Sequence, residues 1–129
     1  MFTIEQIHRA HNKVKSGADF PKYIQEIKSL GVIAFETWVK DSHTEYFGLN
    51  SFKIASKPMY EDMAIASTSN EELFKEDLKT HQQGKTDYLT FCKDCAKSGI
   101  EKWFVSLTDR TCTYYDKSGK IILVELIPE

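Results

Sequence analysis

The same order of helix caps, apolar stripes and turn residues runs through the chain twice. Residues 19–54 can be laid over residues 87–122 at an offset of 68, without a gap. Asp19 then meets Asp87, Gly31 meets Gly99, Asp41 meets Asp109 and Tyr46 meets Tyr114. Apolar positions meet apolar positions: Tyr23 with Phe91, Val32 with Ile100, Phe35 with Trp103, Ile54 with Ile122. The preceding helices match at an offset of 67, with Ile7 opposite Phe74 and Gly17 opposite Gly84. Few pairs are identical. Repeated periodicity with matching punctuation still restricts the chain to architectures that use one unit two times.

The unit reads as helix, helix, strand, strand, strand. Thr3 and Gln6 make a capping box for a helix over 3–15, with Ile4, Ile7, His11 and Val14 on one face and Gly17 after its end. A second helix starts near Asp19 with Pro21 in its first turn, where the missing N–H costs nothing. Its stripe is Phe20, Tyr23, Ile24, Ile27 and Leu30, and Gly31 closes it. Strands follow at 32–40, 43–48 and 51–56. Lys57-Pro58 opens a connection over 57–68 whose Met59, Tyr60, Met63 and Ile65 call for burial. Ser69 and Glu72 then make a second capping box, ahead of the stripe Leu73, Phe74, Leu78 and His81 and the closing Gly84. A helix from Asp87 carries Tyr88, Phe91, Cys92 and Cys95 on its stripe and ends at Gly99. Strands at 100–108, 111–116 and 120–127 complete the second unit, the last two joined by the turn Asp116-Lys117-Ser118-Gly119.

The implied fold class is α+β. It is an internal duplication of two ααβββ units, with helices packed on one face of an antiparallel sheet or sheets. The expected organisation is a single domain over 1–129, with pseudo-repeats 3–56 and 69–125 joined by 57–68. Each half alone is too small to bury a robust core.

Composition narrows the functional classes. Seventeen basic residues against nineteen acidic ones give a formal net charge of −2, so no nucleic-acid partner is expected from bulk charge. Lysines are dispersed among acids and form no stripe suited to a phosphate backbone. Three cysteines do not make a secreted disulfide framework. The start of the chain does not read as a signal peptide, and apolar runs such as Val32-Ile33-Ala34-Phe35 are far short of a membrane span. The expectation is a soluble cytoplasmic protein with no membrane association and no cofactor.

Two groups of residues invite chemistry. Cys92 and Cys95 form a Cys-x-x-Cys that could be a redox pair or half of a metal site, with His81 as a further ligand. The repeat offers another explanation, because Cys92 aligns with Ile24 and Cys95 with Ile27, both on an apolar stripe. His11 and His81 sit on stripes of the first and third helices and could line a pocket between the halves of an enzyme. Asp41-Ser42-His43 places an acid, a hydroxyl and an imidazole side by side, but a tight turn is expected to hold them exposed. No catalytic residue emerges, and glycine-rich phosphate loops, H-E-x-x-H and G-x-S-x-G are absent.

A third group points to binding. Ile33, Phe35, Thr37 and Val39, with Glu101, Trp103, Val105 and Leu107, should face the helices. The opposite face should be polar, yet it carries Trp38 and Phe104 beside Glu36. Either the 57–68 connection and the packing of the halves cover these aromatics, or they form a ligand or partner surface.

Several strings also carry a family likeness. They include Phe2-Thr3-Ile4-Glu5-Gln6-Ile7, Val14-Lys15-Ser16-Gly17-Ala18-Asp19-Phe20-Pro21, His81-Gln82-Gln83-Gly84-Lys85-Thr86-Asp87-Tyr88 and Phe91-Cys92-Lys93-Asp94-Cys95-Ala96-Lys97-Ser98-Gly99. Together with Tyr46-Phe47-Gly48 and Thr113-Tyr114-Tyr115-Asp116, they resemble an uncharacterised bacterial and prophage family, the one that includes YbcV. Its members carry the labels phage envelope protein or domain of unknown function. The resemblance implies a phage or prophage association and brings no activity or catalytic residue with it. The resulting expectation is a small non-enzymatic module that binds an unknown protein partner or its own copies. The alternatives are a thiol-dependent or metal-binding protein, and an enzyme with a pocket between the halves.

Overall fold

The computed structural model describes residues 1–15 and 19–128. In chain order these form α1 (Ile4–His11), α2 (Phe20–Leu30), β1 (Ala34–Trp38), β2 (Thr44–Phe47) and β3 (Lys53–Ala55). Then come α3 (Glu71–Gln82), α4 (Tyr88–Lys97), β4 (Ile100–Ser106), β5 (Thr111–Asp116) and β6 (Ile121–Leu126). The fold is α+β. The six strands make one antiparallel sheet in the order β3-β2-β1-β4-β5-β6.

The two runs of three strands therefore share one sheet. They meet where β1 pairs with β4, from Ala34 against Ser106 to Trp38 against Lys102. Each run continues outward from that seam in chain order. The strands alternate as a half-covered sheet must. Phe35, Thr37 and Val39 are buried on the helix side of β1, as are Trp103, Val105 and Leu107 on β4. Against them pack Ile7 and Ala10 of α1, Tyr23, Ile24 and Ile27 of α2, Phe74 and Leu78 of α3, and Phe91, Cys92 and Cys95 of α4.

Local chemistry accounts for most element ends. Thr3 and Gln6 form the reciprocal capping box, Pro21 sits in the first turn of α2, and Gly31 ends α2 at φ 111°. Several boundaries differ from the sequence expectation. α1 stops at His11 and its buried positions are Ile7 and Ala10, so His11 is exposed, its ring edge against Tyr23 at 5.2 Å. Gly17 lies outside the described residues. The second capping box does not form: Asn70 caps α3, its side chain accepting from the Leu73 N–H. The cause is tertiary, because Asn70 N–H donates to the Ser98 carbonyl and holds Ser69 against Gly99 before the helix can begin. The strands are shorter than expected, and Ile33, beyond the regular part of β1, is 38% exposed.

Connection 57–68 is tied down along its length. Met59 N–H donates to the Asp41 carbonyl, Met63 N–H to Lys40 and Ala66 N–H to Ala96. Tyr60, Met63 and Ile65 pack against the core. Met59 does not share in this and is 67% exposed. No helix among the described residues is long and apolar enough to cross a membrane.

Candidate functional site

The face of the sheet turned away from the helices is organised in rows that cross the strands. Neighbouring side chains in a row come from residues directly opposite each other in the antiparallel ladder. One row is His43, Trp38, Lys102 and Tyr115, from β2's leading edge through β1 and β4 to β5. The next is Glu45, Glu36, Phe104, Thr113 and Val124. The third is Lys53, Phe47, Ala34, Ser106, Thr111 and Leu126. Glu36 is thus directly opposite Phe104, and Trp38 lies two residues along the same face.

Trp38 is held from both sides. The His43 ring stacks parallel to it at 6.0 Å, and the Lys102 ammonium sits 4.6 Å from its ring centre. Lys102 also lies 5.4 Å from the Tyr115 ring and 3.4 Å from the Glu36 carboxylate. Each cation–π contact of this kind is worth about 0.5–1 kcal/mol at a partly exposed position. Trp38 and Tyr115 are therefore half-buried with a charge against each ring, not loose on the surface. Trp38 Nε1 is buried and meets no acceptor among the described residues.

Trp38 also borders a groove of about 330 Å³ where the two halves and the connection meet. Its lining includes Lys40, Met63, Ile65, Glu101 and Lys117. Neither His11 nor His81 lines it. His81 instead stacks on Phe91 at 4.5 Å, and its Nδ1 lies 3.1 Å from both Thr86 oxygens.

The turn between β1 and β2 is not exposed, contrary to expectation. Asp41 and Ser42 are 6% and 2% exposed. Ser42 adopts φ 61° and shares a 2.6 Å hydrogen bond with the Tyr88 hydroxyl, whose ring stays partly open to solvent instead of joining the stripe. Asp41 Oδ1 accepts from the His43 N–H at 3.0 Å and pairs with its imidazole Nδ1 at 2.6 Å. The serine hydroxyl is bonded to tyrosine and not to histidine, so no nucleophile–base pair forms. The group is a structural clasp between the β1–β2 turn and α4.

That clasp carries a pH signature. Burial pushes the Asp41 carboxyl upward, but the His43 hydrogen bonds outweigh it and hold the carboxyl below its ordinary 3.8. A depressed native value stabilises the fold at pH values where the unfolded aspartate would also be ionised. This stabilisation is complete above 3.8 and is lost as pH falls from there through the lower native value. Asp41→Asn is expected to flatten that acid limb in urea titrations across pH, and an unchanged limb would exclude Asp41 as its source.

The cysteines have the environment of core residues. Cys92 and Cys95 are 0% exposed and Cys112 is 7% exposed. Burial raises all three thiols, Cys112 to about 12, against the direction a nucleophilic or metal-binding thiolate requires. The neighbouring Tyr60 and Tyr88 hydroxyls oppose part of that rise at Cys92. Among the described residues no group of three His, Cys, Asp or Glu side chains is placed to hold a metal ion.

The largest exposed apolar residues on the sheet are on β6: Ile121 at 53%, Val124 at 49% and Leu126 at 82%. Reading face by face from Trp38 and Phe104 passes over them. The signal available was the run Ile121-Ile122-Leu123-Val124, which is apolar at consecutive positions where a half-covered strand alternates.

The family described as "Protein of unknown function (DUF1398)" matches residues 8–126. No curated protein matches the chain.

Proposed function

The chain belongs to the DUF1398 family, described as proteins of unknown function, and from that premise we propose that it is a non-catalytic binding module. Its working surface is the open face of the sheet, around Trp38, Glu36 and Phe104. The resemblance to prophage proteins supports a phage-related setting and a soluble cytoplasmic location. The observation that carries the reading is the charge-clamped row His43, Trp38, Lys102 and Tyr115. A rigid aromatic surface loses little side-chain entropy when a partner covers it, and this raises affinity for a given area. The thiol and enzyme alternatives have no comparable support, because the cysteines are sealed in the core and the histidines are dispersed.

The test places a photo-crosslinking phenylalanine analogue at Phe104 in living cells. One discrete protein adduct is expected. The purified partner should then bind the wild-type chain and lose at least about tenfold in affinity, or 1.4 kcal/mol, with Trp38→Ala. Absence of an adduct, or binding that Trp38→Ala leaves unchanged, would remove the open face from consideration.

A further inference from the structure

The seam between β1 and β4 has two ends, and they correspond to each other at the offset of 68. The register places Glu36 directly opposite Phe104, the residue that matches it at that offset. The backbone repeats across this point. Val39 N–H donates to the Glu101 carbonyl at 2.9 Å, and Leu107 N–H donates to the Ile33 carbonyl at 3.0 Å. The side chains do not repeat. Where one end has Ile33, Leu49, Ser106 and Thr108, the other has Glu101, Lys117, Trp38 and Lys40. Those last four line the groove of about 330 Å³, to which connection 57–68 adds Asp62, Met63 and Ile65. One backbone frame thus carries uncharged side chains at one end and a charged, aromatic groove at the other, so the frame itself does not require the charges.

The charges of the groove do not neutralise one another. Lys40, Lys117, Asp62 and Glu101 form no ion pair among the described residues. The open face differs, with Lys102 3.4 Å from Glu36 and Lys53 3.5 Å from Glu45. Glu101 owes its place to the register shift between Ile100 and Lys102, which takes it out of the strand alternation. Trp38 adds a further unmet demand, because its buried Nε1 has no acceptor among the described residues. His43 and Lys102 occupy the faces of its ring. What the ring offers the groove is therefore its edge, the positive part of an aromatic system.

We infer that the groove binds a small zwitterion, an α-amino acid with an apolar side chain. The four charges sum to zero, so Asp62 and Glu101 oppose a polyanion and Lys40 and Lys117 oppose a polycation. A molecule with one charge of each sign on neighbouring atoms satisfies both pairs. The lysine ammoniums and the positive edge of Trp38 receive its carboxylate, and Glu101 and Asp62 receive its ammonium. Met63 and Ile65 supply the apolar wall for its side chain. The volume lies at the lower end of the range of about 300–1,000 Å³ for small-molecule sites, which suits a single amino acid. The site shares Trp38 with the open face but needs no protein partner there, so it goes beyond the binding-module reading without depending on it.

Residue-resolved NMR titration of the full chain with L-leucine, L-methionine and L-phenylalanine tests the site. At least one probe should shift the Trp38 indole N–H and the Met63 and Ile65 amides saturably and leave the Trp103 indole in place. Removing either charge from that probe, as its deaminated acid or its decarboxylated amine, should weaken binding at least about tenfold. Glu101→Gln and Lys117→Gln should each do the same and keep the wild-type melting. No saturable shift with any probe overturns the inference. Binding of the acid or the amine as tight as that of the amino acid also overturns it, and so does an affinity that both substitutions leave unchanged. The analogue comparison uses the wild-type chain alone, so it decides the matter even if a variant fails to fold. A saturable shift without a Phe104 adduct removes the partner surface alone, and an adduct without a shift removes the groove alone.

Discussion

Gly99→Ala is expected to destabilise the chain by about 2–5 kcal/mol, from two separable sources. The first is backbone conformation. Gly99 follows α4 at φ 82°, a left-handed geometry that costs an L-residue about 1–2 kcal/mol. The second is space. A Cβ at this position would lie 2.8 Å from Ser69 Cα and from the Thr68 carbonyl oxygen. Both are backbone atoms and cannot rotate away. They are also held in place, since Asn70 N–H bonds the Ser98 carbonyl and Ala66 N–H bonds Ala96. Relieving the clash would therefore pull the end of the connection off the α4–β4 turn. Gly84 and Gly119 provide the controls. Their φ values are 77° and 86°, and a Cβ added at either would meet nothing within 4 Å. Alanine there should show the conformational cost alone. Urea unfolding of the three variants checks the claim: equal losses would mean that the contact with Ser69 and Thr68 carries no energy.

Gly99 also shows what a sequence can and cannot disclose. Its role as a helix terminator was legible from its position after an apolar stripe, and so was the matching role of Gly31. The close approach of Ser69 was not, because it depends on where a distant segment returns. The same return displaced the α3 cap from Ser69 to Asn70. Local rules identified the elements because caps, stripes and alternation are properties of neighbouring residues. The joining of both halves in one sheet was invisible to them, since pairing β1 with β4 is a choice among edges that alternation leaves open. The candidate surface followed the same division. Trp38, Glu36 and Phe104 share a face because of parity alone. The clamp on Trp38 required three strands side by side, and the burial of Asp41 and Ser42 required α4 and the connection to close over the turn. His11 differs for a simpler reason: it is the last residue of α1, and Ala10, not His11, takes the buried position that follows Ile7.

Phe74→Ala should lower stability by about 3–5 kcal/mol, the range for removing a fully buried aromatic ring. Phe74 is 0% exposed and packs on Tyr114 at 4.8 Å and Phe91 at 6.4 Å, joining α3 to α4 and to the sheet. A domain of this size has roughly 5–15 kcal/mol in total, so the loss is a large part of it. The more telling outcome is where the loss appears. Phe74 belongs to the second run of elements, and its counterpart in the first is Ile7, also 0% exposed. If the two runs were independent, Phe74→Ala would lower the unfolding midpoint of Leu107 and Tyr114 and leave that of Ile24 and Ile27 unchanged. The seam argues otherwise. β1 is paired with β4 along its whole length, so β4 cannot leave the sheet without exposing an edge of β1. Neither half retains a closed core once that pair opens. Residue-resolved unfolding should therefore move both sets of midpoints together, and Ile7→Ala should move both from the other side. First-half midpoints that stay at the wild-type value in Phe74→Ala would show that the two runs are separate folding units sharing a sheet.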